Sequence, residues 1–244
     1  MIPCARLAMN WNSLTGRRDD EAAAPATFYF EWRRRRRAVY APRRTVSIPL
    51  LPTPAPPRGM PKSKSAATPR ARPNVLITGT PGTGKTSLAE RVAAACGMHH
   101  YDVSAVAKRE DMCESFDEDL DTHVIDEDKV LDHMEEKLGA SDGGIVADYH
   151  SCDLFPERWF DLVVVLTCDN SILYDRLAAR GYAEAKITKN VECEIFQAIA
   201  EEARESYAED VVRVCASETI EQMEANEASV KAFVDAFNDG VGGA

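Results

Sequence analysis

A chain of 244 residues has room for one large domain or two small ones, and its formal charge of −11 is split very unevenly. Residues 1–72 carry 15 Lys/Arg against 4 Asp/Glu, a net of +11, whereas residues 73–244 hold 14 basic and 36 acidic groups, a net of −22. No stretch approaches the roughly 20 apolar residues that a membrane helix needs, and seven scattered cysteines without a C-x-x-C pair fit reduced thiols in an intracellular protein better than a disulfide framework.

Ten of the 13 prolines precede Pro73, and sequence so rich in Pro and Arg buries too little apolar surface to offset its ordering entropy. Residues 1–72 are therefore expected to be disordered, and residues 73–240 to form one compact α/β domain. The arginines of the first segment, Arg33 to Arg37 above all, fit an organelle transit peptide or a nuclear-import or nucleic-acid patch. A third reading is an upstream extension, with the true start at Met60-Pro61-Lys62. Mass measurement of the native N-terminus separates the three.

Val75-Leu76-Ile77-Thr78 predicts a buried strand, and Gly79-Thr80-Pro81-Gly82-Thr83-Gly84-Lys85-Thr86 follows it. That is a complete G-x-x-x-x-G-K-[ST] phosphate loop where a strand hands the chain to a helix. Glycines let backbone N–H groups turn inward around a phosphate, Lys85 brings a cation to the outer phosphates, and the Thr86 hydroxyl is a ligand for Mg²⁺. The helix over residues 84–96 points its positive end at the same anion. These residues predict a nucleoside triphosphate site.

Residues 99–103 read as a second strand. Lys108 and Arg109 stand where a second substrate's phosphate would need a cation, or they are a solvated basic pair. Between residues 110 and 128 there are ten Asp/Glu and no Lys or Arg, which ordinarily marks a solvated face. A helix is expected over 126–138 and a third strand over 145–148, ending in Asp148-Tyr149-His150. An acid at the carboxyl end of a strand beside the phosphate loop lies where ligands bind in open α/β sheets. There Asp148 holds Mg²⁺ or orients the attacking group, or else it only forms a turn. His150 positions a water or a phosphate, or is simply packed.

Residues 161–166 are the most continuously apolar run and predict a central strand. Arg176 and Arg180, four apart on the helix over 170–179, share a face at its C-terminal end. The helix dipole favours cations there, but the Gly181 and the polar stretch to Asn190 that follow suggest arginines on a lid. One helix over 191–207, a fifth strand over 211–215 and a closing helix over 219–237 complete the alternation. Strands alternating with helices predict a parallel sheet covered on both faces. The class is a P-loop nucleoside monophosphate kinase fold, with a five-stranded parallel sheet flanked by helices and a short lid. No Asn/Thr-Lys-x-Asp guanine motif appears, which argues against a GTPase.

Six ordered blocks resemble one family. They are the phosphate loop, Ile125-Asp126-Glu127-Asp128-Lys129-Val130, Asp148-Tyr149-His150-Ser151-Cys152-Asp153, Phe155-Pro156-Glu157-Arg158-Trp159, Arg180-Gly181-Tyr182 and Cys193-Glu194-Ile195-Phe196-Gln197. Together they are similar to adenylate kinase isoenzyme 6, over about residues 73–237. The resemblance implies a kinase that converts ATP and AMP to two ADP, using Mg²⁺. It also implies ATPase activity, a role in small ribosomal subunit maturation, a small-subunit ribosomal protein as partner, and placement in nucleus and cytoplasm. It assigns Gly82, Gly84, Lys85, Thr86 and Ser87 to the ATP phosphates, Arg180 to the lid with Arg176 beside it, and the loop 216–219, including Thr219, to adenine. Asp148 and His150 become the metal-linked acid and its neighbour important for hydrolysis. Where the family has an arginine for AMP, this chain has Lys108, with Arg109 next; lysine keeps the charge but loses the bidentate fork.

A domain of net −22 repels RNA, so a basic ribosomal-protein tail, attracted by Asp117, Glu118, Asp119 and Asp121, is the expected contact. The alternative function is an assembly switch whose ATP hydrolysis acts on a ribosomal protein, with kinase activity incidental. A small-metabolite kinase of the shikimate type shares fold and length but lacks the blocks at 148–153 and 155–159.

Overall fold

The computed structural model describes residues 70–117, 122–140 and 142–242. The readings made for residues 1–69, and for Glu118, Asp119 and Asp121, lie outside these residues, as does the side chain of Asp117.

Five parallel strands form the sheet: β1 (Val75–Gly79), β2 (His99–Asp102), β5 (Ile145–Asp148), β6 (Leu162–Thr167) and β7 (Val212–Ala216), in the order β2-β5-β1-β6-β7. All five agree with the expected strands to within a residue or so. β1 is central, and all five of its residues are buried. The apolar runs still alternate, because a parallel sheet covered on both faces buries odd and even residues against different helices. Leu76, Ala147, Val163 and Val165 face a cluster with Val130, Met134 and Leu138 of α3 (Glu127–Leu138) and Ile199, Ala200 and Ala203 of α6 (Ala198–Ser206). Val75, Ile77, Val146, Leu162, Val164 and Leu166 face Leu88, Ala89 and Val92 of α1 (Lys85–Cys96) and Val230 and Val234 of α7 (Ile220–Gly242).

Asn74, fully buried just before β1, ties the lower edge of the sheet together. Its Oδ1 accepts from Ile145 N at 3.1 Å, and its Nδ2 donates to Trp159 O at 3.1 Å and Leu138 O at 3.4 Å. These bonds satisfy backbone groups at the start of β5 and the end of α3 that would otherwise be buried without partners.

Three parts of the chain differ from expectation. The acidic stretch 110–128 contains a hairpin, β3 (Cys113–Asp117) and β4 (Thr122–Ile125), preceded by α2 (Val103–Arg109). Val124 and Ile125, adjacent at the end of β4, are both buried on the core, while Phe116 and His123 meet edge-on in the open, so the strands show no regular alternation among the surrounding acids. The polar stretch after Gly181 folds as α5 (Glu184–Ile195). The single helix expected over 191–207 is broken: Gln197 adopts a left-handed conformation with φ 51°, separating α5 from α6. A positive φ at a residue other than glycine is held by surrounding contacts, not by local preference. Helix α4 (Asn170–Ala179) packs on α5 through Leu173, Leu177 and Ile187, beside Cys168.

Candidate active site

The chain runs to one side of β1 for β2 and β5, then to the other for β6 and β7. The reversal lies between β1 and β5, and a crevice opens there at the carboxyl ends of the strands, the usual ligand position in such sheets. The phosphate loop leaves β1 on one side of it, and Asp148 ends β5 on the other. Tyr149 N donates to Ile77 O at 3.2 Å and locks the two strand ends together.

The cleft is lined by Gly82, Gly84, Lys85, Thr86, Ser87, Asp102, Ser104, Asp148, Tyr149, His150, Arg180 and Tyr182, together with Pro81. The loop's shape depends on glycine at two close approaches. At Gly79 (φ +141°) a Cβ would sit 2.4 Å from the carbonyl oxygen of Leu166, and at Gly82 (φ +101°) it would meet Leu173 Cδ1 at 2.8 Å. The N-terminus of α1 opens into the cleft at Gly84 and Lys85, so its unpaired N–H groups and partial positive charge face any anion held there.

Lys85 is half-buried and donates from Nζ to the carbonyl of Thr80 in its own loop, at 3.0 Å. Burial lowers its pKa to about 8. Nearby Asp148 opposes that shift, Arg180 adds to it, and Glu194 and Asp102 act against it. Two cations, Lys85 and Arg180, thus face one cleft in which Asp102 and Asp148 also stand. Thr86 Oγ1 donates to Asp148 Oδ2 at 2.7 Å, while the other carboxylate oxygen lies 2.7 Å from His100 Nε2. Asp148 is 4% exposed. The paired hydroxyl and carboxylate are the hard oxygen donors that Mg²⁺ takes, so these residues fit the ion. Among the described residues no cluster of three or more His, Cys, Asp or Glu forms a ready-made metal cage.

His150 is buried at the cleft wall, its ring 4.1 Å from that of Tyr149, and burial pushes its pKa down to about 3. It is a neutral imidazole at physiological pH. Arg180 follows α4 and lines the cleft, but Arg176 does not. Its guanidinium is spent on backbone, donating to Ser217 O at 2.8 Å and Glu218 O at 2.7 Å, with Gly82 O at 3.5 Å. Arg176 therefore pins the loop after β7 to the phosphate loop. Thr219 lies on that pinned loop and is exposed, its Oγ1 accepting from Gln222 N at the start of α7. Lys108 and Arg109 occupy the last turn of α2, exposed and outside the cleft lining, with Arg109 Nε on Glu110 Oε1 at 2.9 Å.

Sequence reasoning passed over two groups at the site. Glu194, on the last turn of α5 and 4% exposed, accepts from Thr80 Oγ1 at 2.5 Å and from Cys168 N at 2.8 Å. It braces the phosphate loop against the helix pair that carries Arg180. Asp102 caps α2 by accepting from Ala105 N at 2.8 Å and closes the cleft beside Ser104. Glu194 stood within a block used for the resemblance, but nothing local to it announced a contact 114 residues away.

A family model described as an AAA domain matches residues 75–197. The "Adenylate kinase isoenzyme 6 homolog" of Caenorhabditis elegans is 57% identical over 157 residues, 64% of this chain and 86% of that protein. The chain belongs to the adenylate kinase isoenzyme 6 family. The Drosophila melanogaster homolog is 48% identical over 62% of this chain and 85% of its own, and the Saccharomyces cerevisiae homolog FAP7 is 42% identical over 70% and 89%. With the phosphate loop, this membership makes the chain a P-loop kinase acting on nucleotides. The span of the family model takes in the phosphate loop, Asp148, His150, Arg180 and Glu194. No helix among the described residues is long and apolar enough to cross a membrane.

Proposed function

We propose that the protein transfers the γ-phosphoryl group of ATP to AMP, giving two ADP. The observation that carries this reading is the convergence in one cleft of the phosphate loop, the Thr86–Asp148 pair and Arg180, in a chain whose relatives bear the name adenylate kinase. A phosphate oxygen of AMP attacks the γ-phosphorus as the bond to the β–γ bridging oxygen breaks, and ADP leaves. Such a transfer asks the protein for positioning and charge neutralisation more than for covalent chemistry.

Lys85 exchanges the Thr80 carbonyl for the phosphate chain, and the N-terminal amides of α1 bind the same oxygens. Arg180 closes from the end of α4 and meets charge that grows in the transition state. Thr86 and Asp148 would hold Mg²⁺, which when bound neutralises phosphate oxygens. Ser87 donates from the first turn of α1, and Thr219, on the loop pinned by Arg176, lies against adenine. The α2 end, with Lys108 and Arg109, approaches AMP when the second substrate binds.

A second reading is ATP hydrolysis that drives a step in small ribosomal subunit maturation through a small-subunit ribosomal protein. The neutral imidazole of His150 at the cleft wall favours it, since an unprotonated ring can accept a hydrogen bond from an attacking water. The acidic balance of residues 73–244 suits a basic ribosomal-protein tail at Asp117, Glu118, Asp119 and Asp121, in the nucleus or cytoplasm. Reversing those four charges should weaken the contact and flatten its salt dependence; unchanged affinity refutes it. The experiment that separates the two activities is ADP formation from ATP with and without AMP. Strong AMP dependence, lost in Lys85→Ala, supports the kinase; AMP-independent phosphate release stimulated by the ribosomal protein supports the switch.

A further inference from the structure

His100 lies on β2, an edge strand of the sheet, in register with Val146, two residues before the Asp102–Asp148 pair. Side chains two apart on a strand share a face, so His100 and Asp102 project on the side of Val146 and Asp148. Tyr101 between them turns into the opposite core. From that place His100 Nε2 reaches Asp148 Oδ1 at 2.7 Å, with 21% of its side chain exposed against 5% for Asp148. The geometry requires the proton on Nε2, because a carboxylate only accepts. Thr86 Oγ1 occupies the remaining oxygen of Asp148 at 2.7 Å. The carboxylate is thus fixed at both oxygens, one contact coming from the phosphate loop and the other from a strand that carries no part of the loop.

These contacts act on different oxygens. A Mg²⁺ ion draws on a lone pair of the Thr86 hydroxyl, which keeps its O–H for Asp148 Oδ2, so that contact moves with the metal site itself. The His100 contact fixes the other oxygen, Oδ1, from a strand outside the phosphate loop and restrains the rotation of the carboxylate about its own axis. Groups that orient a ligating carboxylate affect metal affinity by about 10–100-fold when removed.

We infer that His100 is a positioning residue for Mg²⁺–nucleotide binding: it holds Asp148 in the orientation that receives the ion, without touching nucleotide itself. The inference rests on the assignment of Thr86 and Asp148 to Mg²⁺ made above. The test uses the full chain and a fluorescent ATP analogue, titrated with and without Mg²⁺ at fixed pH, alongside thermal unfolding. In His100→Leu the Mg²⁺ concentration giving half-maximal enhancement of nucleotide binding should rise at least tenfold. Mg²⁺-free affinity should change less than twofold, and His100→Gln, which returns a donor of similar reach, should recover most of the loss.

A shift below threefold in His100→Leu overturns the inference. So does an equal loss of Mg²⁺-free affinity, which would mark a purely structural role, or a glutamine variant as impaired as the leucine. If His100→Leu does not fold, His100→Ala at the same edge position gives the same reading. Asp148→Asn separates the two levels of argument: should it leave the Mg²⁺ dependence intact, the assignment of Asp148 fails and the role of His100 falls with it. A shift in Asp148→Asn without one in His100→Leu refutes His100 alone.

Discussion

Nucleotide binding should take up a proton at Lys85, and this can be weighed before any turnover is measured. In the free protein, burial holds the Lys85 pKa near 8. A bound triphosphate places several negative charges against the ammonium and restores its pKa toward the ordinary value of about 10.4. Binding is then linked to protonation between those two values: below pH 8 the lysine is already charged, and above it a proton must be recruited. From pH 7 to pH 9 the affinity should fall about tenfold, equivalent to ~1.4 kcal/mol. Calorimetric titration with an unhydrolysable ATP analogue, in two buffers of different ionisation heat, reads the proton directly. The expected uptake is about 0.1 proton at pH 7 and about 0.9 at pH 9. Lys85→Met should bind more weakly and lose most of this dependence. Flat affinity across this range, or an undiminished slope in Lys85→Met, would refute the reasoning about the burial and role of Lys85.

Other consequences follow from the buried polar groups. Lys85→Ala should lower turnover by about 10²-fold or more, since it removes transition-state charge stabilisation; near-normal kcat would undo the active-site assignment. Glu194→Ala leaves the buried Thr80 hydroxyl and Cys168 N–H without their partner, and should cost about 3 kcal/mol, seen as a fall in Tm of roughly 6–12 °C. His150, with its folded pKa near 3 against an ordinary 6.5, binds fewer protons than in the unfolded chain throughout that window. Stability should therefore drop as pH falls below 6.5, by about 2 kcal/mol at pH 5, and His150→Asn should remove that portion in urea titrations at the two pH values. Asn74→Leu, which keeps the branched side-chain skeleton but orphans Ile145 N and two carbonyls, should lower stability by about 2–5 kcal/mol in denaturant unfolding, whereas a surface asparagine would cost almost nothing.

Much of this protein is legible in its sequence because the determinants are local. The phosphate loop is a run of consecutive backbone groups, so Gly79 to Thr86 announce both the turn and the anion it receives. The inner strands are legible because a parallel sheet buries both their faces and writes them as nearly continuous apolar runs, as in Leu162–Thr167, whereas the edge strands β2 and β7 carry polar residues. The hairpin at 113–125 escaped for the opposite reason. Its buried apolar residues, among those described, are only the adjacent pair Val124 and Ile125, with no alternation to mark a strand, and the flanking acids swamp them. Gln197 carries no turn signal at all; its left-handed backbone is imposed by packing around the junction of α5 and α6.

The site divides along the same line. Sequence alone placed Lys85 and Thr86 on the loop and put Asp148 at the end of a strand beside it, since each sits at a position fixed by its own element. Tertiary structure decided what those elements bring together. It turned Arg176 away from the cleft to hold backbone carbonyls, reached Glu194 across 114 residues to brace the loop, and set His100 against Asp148 across 48. Such contacts depend on strand order and register, which place β2 next to β5 although 42 residues separate them. No local pattern encodes that adjacency. It arises when the two apolar faces of one sheet are covered at once.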